Sequence, residues 1–373
     1  MRVVAMQSGT SVDGIDVATV DADIVDGIGA VLELRPVRLE TVEWQPVLRE
    51  EILAAAHGEP RDAQAWTRLD TAIGQAFAEA AVAADGEFVV SHGQTIHHWT
   101  DESGTRGTLQ LGEPSWIAER TGIPVVSHLR SADVAAGGDG APLMGVFDRM
   151  WAAGLGIESL ATVNLGGIAN VQLVRGGEVL AFDTGPANCL IDAVVQRETG
   201  GSCDVDGALA AAGTVDGGLL SRLKEHPYLG RAAPKSTGRE TWNLDLVDGA
   251  VGSDAIGVED LVATLTAFTA QSVADAMPGA DRVVLSGGGA RNPAMVRALR
   301  ERIPDAVTSD ELGIDAEHKE SLLFAVLGML AWHRVPVRPG TAPARIAGRF
   351  TPSPRGFQLP PARARIDALR VRA

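Results

Sequence analysis

Short apolar runs alternate with small, polar segments along the chain. Near the start, residues 3–6 are apolar, residues 8–14 are small and polar, and residues 15–24 alternate apolar with acidic side chains. Alternation with a period of two is typical of a half-buried strand. The pattern therefore predicts a strand, a glycine loop and a second strand.

The segment from residue 50 to residue 84 has a different periodicity. Its apolar side chains recur at helical spacing in an alanine-rich background, so we expect helices here. Two apolar runs follow, at residues 88–90 and 123–126, and polar residues come directly after each. We interpret both runs as strands that end in polar loops, the first of which is residues 91–95.

The second half of the chain starts with the same order of patterns. Apolar residues 160–163 lead into a glycine-containing segment, and residues 171–174 are apolar again. The runs 179–182 and 282–285 each lead into a glycine-containing loop and then a predicted helix. This repetition predicts two related α/β domains.

We place these domains at residues 1–130 and 131–373. The tail after Pro336 is rich in proline and arginine, which predicts an irregular segment with a short strand near residues 345–350. The end of this tail can pack back on the first domain.

Composition and charge narrow the functional class. A chain of 373 residues suits two domains, and its 45% hydrophobic content is typical of globular proteins. The formal charge of -16 opposes binding to nucleic acid or anionic lipid. Two cysteines are too few for a disulfide framework, and no segment resembles a signal peptide or a membrane span. We expect a soluble, cytoplasmic protein without a nucleic-acid or membrane partner.

The first glycine loop is a candidate phosphate site, because glycine N–H groups, hydroxyls and carboxylates can approach phosphates and a hydrated cation. Taken alone, this segment is more typical of a tight β-turn. The chain lacks G-x-x-x-x-G-K-[ST] and has only three lysines, which disfavours a Walker-type NTPase. The candidate residues are Gly9, Thr10, Ser11, Val12, Asp13, Gly14, Ile15 and Asp16.

Seven motifs in order make the chain resemble the anhydro-N-acetylmuramic acid kinase family of the actin, hexokinase and acetate-kinase-like superfamily. Gln7 stands where that family usually has Met, and Asp139 where Gln is frequent. The resemblance implies an α/β fold of two related domains, of actin/hexokinase-like (ribonuclease H-like) type, facing an interdomain ATP cleft. The motifs occupy residues 8–16, 91–95, 133–143, 164–170, 183–188, 234–240 and 286–293.

The resemblance also implies how ATP is bound. The first hairpin and a second one at Gly166 and Gly167 would hold the phosphates, with Gly287 and Gly288 near the adenosine. Asp183 would hold water bound to Mg²⁺, although an Asx turn explains this residue equally well. The expected assembly is a homodimer.

The implied acceptor is 1,6-anhydro-N-acetylmuramic acid. Asp133 would be the base that activates water for attack on the anomeric carbon, and the freed O6 would take the γ-phosphoryl group. Without the motif, Asp133 would be an N-cap or an ion-pair partner of Arg130. Glu320 is also explained as a helix-start residue. The residues expected to bind the sugar are His92, Gln94, Thr95, Ser115, Arg130 and Glu320.

Three other functions stay open at this level. The ATP loops alone do not specify the acceptor, so another sugar or carboxylate kinase of the superfamily fits them. A non-enzymatic, actin-like module would use the same ATP site without a small acceptor. A glycoside hydrolase could use Asp133 with a second carboxylate and would not need ATP.

Overall fold

The structure is a computed structural model that describes residues 1–277, 279–340 and 342–372. Its strands are β1 (Arg2–Ser8), β2 (Ile15–Val25), β3 (Val31–Val42), β4 (Phe88–Asp101), β5 (Gly104–Leu111), β6 (Val125–Ser127), β7 (Ser159–Leu165), β8 (Ile168–Arg175), β9 (Glu178–Pro186), β10 (Arg282–Ser286), β11 (Val307–Thr308), β12 (Arg349–Thr351) and β13 (Ala368–Val371).

The helices lie between groups of strands in both halves of the chain. They are α1 (Pro46–Ala56), α2 (Ala63–Val82), α3 (Pro114–Thr121), α4 (Ser131–Ala135), α5 (Met144–Leu155), α6 (Asn188–Thr199), α7 (Ala208–Ala212), α8 (Gly217–Lys224), α9 (Leu244–Val251), α10 (Val258–Asp275), α11 (Pro293–Arg300) and α12 (Lys319–Trp332). None of the described helices is both long enough and apolar enough to cross a lipid bilayer.

The chain divides into two compact units. Unit 1 is Met1–Leu155 together with the segment from His318 onward, and unit 2 is Gly156–Glu317. This division differs from the predicted boundary after residue 130. The reason is that α5 packs against α12 and β13, and the last two strands join the sheet of unit 1. Unit 2 is thus inserted into unit 1.

The sheet of unit 1 has the order β12-β6-β4-β1-β2-β3-β13, with β5 paired to the outer part of β4. Strands β1, β2 and β3 form an antiparallel meander, and β4 and β6 run parallel to β1. Val89 belongs to the core beneath α1–α3, whereas its neighbour Val90 faces α12. Helices therefore cover both faces of this sheet.

Unit 2 repeats that topology. Its sheet has the order β11-β10-β7-β8-β9, in which β7–β9 form an antiparallel meander and β10 and β11 run parallel to β7. Strands β7, β8, β9, β10 and β11 thus correspond to β1, β2, β3, β4 and β6 of unit 1. This shared order confirms the predicted fold class of two related α/β domains.

Strand β4 corrects the predicted loop at residues 91–95, which lie inside the strand. Antiparallel pairing with β5 extends β4 well beyond the apolar run, from Gln94 to Asp101. Gly93 has a φ of +78°, and a Cβ there would stand 2.4 Å from the Leu111 carbonyl oxygen. The polar motif therefore lies on a strand that bends at a glycine.

Candidate functional site

Side chains from distant parts of unit 1 hold the first glycine turn, residues 9–14, between β1 and β2. The Ser8 hydroxyl donates to the Gly14 carbonyl at 2.7 Å and accepts from Trp44 Nε1 at 3.2 Å. Gln94 Nε2 donates to the Gly9 carbonyl at 2.9 Å. These bonds fix both ends of the turn, and Gln94, a predicted sugar ligand, here supports the turn.

Val12 anchors the middle of the turn. Its side chain is fully buried, its N–H donates to the Gly9 carbonyl at 3.2 Å, and its carbonyl accepts from Arg49 Nε at 2.8 Å. The φ of Val12 is +55°, a region that costs a β-branched residue about 1–3 kcal/mol. The burial of Val12 turns the rest of the tip outward. The exposed tip residues are Thr10, Ser11 and Asp13.

Two neighbouring side chains hold the Asp16 carboxylate. Gln7 Nε2 donates to Oδ2 and Thr41 Oγ1 donates to Oδ1, both at 2.6 Å. Gln7 is one of the two positions where the chain departs from the family pattern, and its amide donates a hydrogen bond that methionine could not make. Ile15 is buried in the core of unit 1, which leaves only its backbone for a nucleotide contact.

Asp133 lies in α4 with its side chain buried. Its Oδ2 accepts from the Gly140 N–H at 2.8 Å, and its main-chain carbonyl accepts from the Gly138 N–H at 2.9 Å. A Cβ at residue 138 would stand 2.4 Å from Oδ2, so the carboxylate rests directly on this glycine. Asp133 is not the N-cap, which is Arg130, and within the described residues the two form no ion pair.

Arg130 connects this loop to His92. Its Nη1 donates to the Gly140 carbonyl at 2.8 Å, and its Nε donates to His92 Nε2 at 3.1 Å. The His92 ring is 3% exposed and stacks on Phe324 with centroids 4.4 Å apart. Burial, and then the charge of Arg130, lower the pKa of His92 well below its usual value. His92 is therefore a neutral support for Arg130.

The other predicted sugar ligands of unit 1 fall into two groups. Thr95 is buried with Oγ1 3.3 Å from His92 Nε2, and the exposed Glu320 is the second residue of α12. Desolvation raises the pKa of Glu320, and the charge of Arg130 opposes this change. Ser115 stands apart at the start of α3, where its hydroxyl donates to Glu113 Oε1 at 2.5 Å. Within the described residues, no hydrogen bond joins Ser115 to His92 or Asp133.

In unit 2, the start of α6 holds the second glycine turn, Gly166 and Gly167. The Gly166 carbonyl accepts from the backbone N–H and the Nδ2 of Asn188, at 3.0 and 2.9 Å. The Gly167 carbonyl accepts from the N–H groups of Ala187 and Cys189. Backbone N–H groups and one side chain, that of Asn188, thus fix this turn, whereas several side chains hold the first one.

The third glycine loop follows β10 and packs against the end of β7. Gly287 has a φ of +78°, and a Cβ there would stand 2.4 Å from Asn164 Oδ1. Its N–H donates to the Ala316 carbonyl at 3.0 Å. Since Gly166 directly follows the end of β7, unit 2 brings the predicted phosphate and adenosine loops together.

Asp183 lies within β9, not in a loop after it. Its Oδ2 accepts from Ser236 Oγ at 3.0 Å and from the Thr237 N–H at 2.9 Å, while its own N–H donates to the Lys235 carbonyl at 2.9 Å. These partners are more than 50 residues away in sequence, so the Asx-turn interpretation does not describe them. Unit 2 therefore presents a carboxylate held by a separate loop.

The space beside three glycines shows whether a phosphate could approach the backbone of these loops. Gly9, Gly166 and Gly288 have no positive φ, and a Cβ at each would meet no protein atom closer than 3.6 Å. The fold itself therefore does not require glycine there, whereas it does at Gly14, where a Cβ would stand 2.4 Å from Thr41 Cγ2. Bare backbone beside open space is what close approach of a phosphate needs.

Few of the described protein side chains are placed to coordinate a metal ion such as Mg²⁺. Among the residues that the structure describes, no three His, Cys, Asp or Glu side chains cluster to form a metal site. Mg²⁺ commonly uses one or two carboxylates, with phosphate oxygens and waters completing its octahedron. Asp183 fits that kind of partial site, because only one of its oxygens has the two bonds described above.

Comparison with known proteins agrees with this arrangement. The family model described as anhydro-N-acetylmuramic acid kinase matches residues 1–349. The chain belongs to the anhydro-N-acetylmuramic acid kinase family. That membership confirms the resemblance seen in the motifs and identifies the chain as a kinase.

Members of the anhydro-N-acetylmuramic acid kinase family from two Streptomyces species are similar over nearly the whole length. The kinase of Streptomyces coelicolor is 45% identical, covering 96% of each chain, and that of Streptomyces avermitilis is 46% identical, covering 97% of each. Among solved structures, the activator of the 2-hydroxyisocaproyl-CoA dehydratase from Clostridium difficile with bound ADPNP has a TM-score of 0.41. It is 15% identical and covers 87% of this chain and 93% of that one.

Residues without a predicted role also contact the two candidate carboxylates. Gly138 and Gly140 hold the Asp133 carboxylate, and Ser236 and Thr237 hold Asp183. The signal for the second pair was present, since residues 234–240 form one of the family motifs. Its polar residues had no assigned chemistry.

Proposed function

We propose that this kinase opens the 1,6-anhydro ring of 1,6-anhydro-N-acetylmuramic acid with water and phosphorylates O6 with ATP. The products are N-acetylmuramic acid 6-phosphate and ADP, and the reaction serves the recycling of cell-wall sugar. The family match over residues 1–349 carries this proposal. The unobstructed backbone at Gly9, Gly166 and Gly288 supports the use of a nucleotide.

Asp133 is proposed as the general base. Its carboxylate takes a proton from the attacking water, a C1–O bond forms, and the C1–O6 bond breaks with its electron pair leaving on O6. O6 then bonds to the γ-phosphorus, ADP leaves, and Asp133 returns its proton to solvent. A positioned base contributes about 10²- to 10⁴-fold to such a step. The Gly140 N–H holds Oδ2, which aims the carboxylate.

The nucleotide groups are assigned to the three glycine loops. The backbone of residues 9–16 and of Gly166 and Gly167 binds the phosphates, and Gly287 and Gly288 adjoin the adenosine. Mg²⁺, when bound, would supply charge neutralisation to the phosphates. Asp183 would hold a water molecule of this ion.

The sugar is assigned to the polar groups around Asp133. Two residues of opposite charge are assigned to the sugar there: Arg130, which is half-buried, and Glu320, which is exposed. Thr95 and Gln94 are buried in β4 and act through the groups that they contact, which are His92 for Thr95 and the Gly9 carbonyl for Gln94. Ser115 is retained as a peripheral contact. A homodimer in the cytoplasm completes the proposal.

One assay tests the function directly. Purified protein is incubated with Mg-ATP and 1,6-anhydro-N-acetylmuramic acid in water enriched in ¹⁸O, and the sugar product is analysed by mass spectrometry. We expect one added water oxygen, one phosphate and an equal amount of ADP.

Other results identify the alternatives. Addition of water without ATP consumption indicates a glycoside hydrolase. Phosphorylation of another sugar or carboxylate, with none of the anhydro sugar, indicates a different kinase. ATP binding without transfer to any acceptor indicates an actin-like module.

A further inference from the structure

A loop of unit 2 connects two parts of the candidate site that lie far apart in sequence. Residues 234–240 contact Asp183 through Ser236 and Thr237, as described above. Arg239, in the same loop, lies against the second glycine turn. A Cβ on Gly167 would stand 3.1 Å from Arg239 Nη2 and 3.3 Å from Nε. The loop thus brings a guanidinium to the turn where we place phosphates.

The start of the loop is fixed to the core. Lys235 Nζ donates to the Tyr228 carbonyl at 3.3 Å and to the Leu229 carbonyl at 3.0 Å, and it lies 4.7 Å from the centroid of the Tyr228 ring. The Tyr228 hydroxyl donates to the Asp183 carbonyl at 2.8 Å. Lys235 is therefore occupied in holding the loop and is not directed at the turn.

The end of the loop is equally fixed. The main-chain N–H of Trp242 donates to the Gly238 carbonyl at 3.3 Å, and the indole ring of Trp242 is buried. That ring meets Tyr228 edge-on at 5.7 Å and Phe268 at 6.0 Å between centroids. With both ends anchored, Arg239 is presented from a rigid support, as a preorganised binding group requires.

The electrostatic setting of Arg239 leaves its guanidinium accessible. Its side chain is exposed, and within the described residues its guanidinium makes no ion pair, although its charge opposes the desolvation that raises the pKa of Asp192. Four other arginines of this unit do pair with carboxylates: Arg197 with Asp248, Arg222 with Asp254, Arg291 with Asp315 and Arg300 with Glu311. The five guanidinium N–H groups of Arg239 remain available for an external anion.

We propose that Arg239 binds the terminal phosphate oxygens of the nucleotide at the second glycine turn and neutralises their charge as the phosphoryl group moves. This inference rests on the proposed function. A chain with a formal charge of -16 needs a local cation to bind a triphosphate, and the planar guanidinium matches phosphate oxygens in a bidentate way. Ser236 and Thr237 make the same loop responsible for aiming Asp183.

The test compares Arg239→Ala with Arg297→Ala. Arg297 is an exposed arginine on α11 of the same unit, so both variants lose one positive charge. We expect Arg239→Ala to lower kcat about 100-fold, the usual loss when one donor to developing charge is removed. Calorimetry should show about tenfold weaker binding of Mg-AMPPNP and unchanged binding of AMP. Arg297→Ala should match the wild type in each measurement.

Arg239→Lys keeps the charge but not the planar fork, so we expect AMPPNP affinity to recover while kcat stays well below the wild-type value. Circular dichroism and thermal unfolding of each variant check that it is folded. Wild-type affinity for AMPPNP in folded Arg239→Ala would overturn the inference. If the wild type fails to phosphorylate the anhydro sugar but Arg239→Ala still weakens AMPPNP binding, the proposed function fails and the phosphate site stands.

Discussion

Arg130 of unit 1 and Arg239 of unit 2 both lie beside a carboxylate-bearing loop, but the protein uses them differently. Arg130 is half-buried and donates to His92 and to the Gly140 carbonyl. Burial lowers its pKa, and Glu320 counteracts that change. Arg239 is exposed and makes no ion pair within the described part of the chain.

This difference distinguishes an arginine that protein groups partly hold from one whose donors have no ion-pair partner. Two donors of Arg130 are bound to protein groups, so this residue chiefly orients the Asp133 loop. Arg239 keeps its donors and faces bare backbone at Gly167. The two units share one sheet topology, yet in our proposals unit 1 supplies the base and unit 2 a cation for phosphate.

Replacing the two carboxylates should separate these roles most strongly. Asp133→Asn still accepts the Gly140 N–H bond but cannot take a proton, so we expect kcat to fall by about 10²- to 10⁴-fold. Affinity for AMPPNP should stay within a few-fold of the wild type. Steady-state kinetics and calorimetry measure the two quantities, and near-normal turnover would refute the role of Asp133.

Asp183→Ala provides the counterpart in unit 2. Removing the carboxylate should raise the Mg²⁺ concentration for half-maximal activity by about 10- to 100-fold. A magnesium titration at saturating ATP measures this shift. If Asp183→Asn abolishes turnover without changing the magnesium dependence, while Asp133→Asn stays active, then Asp183 is the base.

Gly138→Ala tests how closely the fold fits the base. The new Cβ would stand 2.4 Å from Asp133 Oδ2, which forces the carboxylate to move. A displacement of about 1 Å costs about 100-fold in kcat, with little change in AMPPNP affinity. Gly249→Ala is the control, because its Cβ would meet nothing within 4 Å. Unchanged kcat in folded Gly138→Ala would contradict the claim that activity depends on the position of the Asp133 carboxylate.

Variants of His92 test whether Arg130 needs the hydrogen-bond acceptor that His92 Nε2 provides. His92→Phe keeps a ring on Phe324 but removes the acceptor, so we expect kcat to fall about tenfold and KM for the sugar to change little. His92→Gln supplies an acceptor oxygen and should recover most of the activity. A rise in KM with normal kcat would instead support direct sugar contact by His92.

The smallest expected effect is the pH dependence of stability. The pKa of His92 is lowered in the folded state, so below about pH 6.5 the unfolded chain binds the additional proton. Stability from this group is present above pH 6.5 and falls as pH decreases, by about 1.4 kcal/mol per pH unit. Urea unfolding at pH 7.0, 6.0 and 5.5 should show a weaker pH dependence in His92→Phe. Equal slopes would contradict the assigned neutral state.

Much of the fold was predictable because its strands carry clear apolar runs. The alternation at residues 15–24 and the helical spacing at residues 50–84 predicted β2, α1 and α2, which the structure confirms. β3 was not predicted, since charged residues and Pro36 interrupt its apolar positions. The extension of β4 depends on β5, a tertiary pairing that local patterning does not encode.

The site was less predictable than the fold. Motifs identified the glycine turns, but only packing shows that Gly14 is required by Thr41 while Gly9 borders open space. His92 carries polar atoms typical of a ligand, and its burial against Phe324 depends on α12, more than 200 residues later in the chain. Such roles require three-dimensional contacts.

The insertion of unit 2 has a consequence for synthesis on the ribosome. β13, which pairs parallel with β3, emerges only after residues 156–317 have been made. Until then the β3 edge of the first sheet has no partner on that side and is open to unintended strand pairing. Unit 2 can therefore complete its sheet before unit 1 does, and a nascent chain must keep an unfinished edge protected through most of its translation.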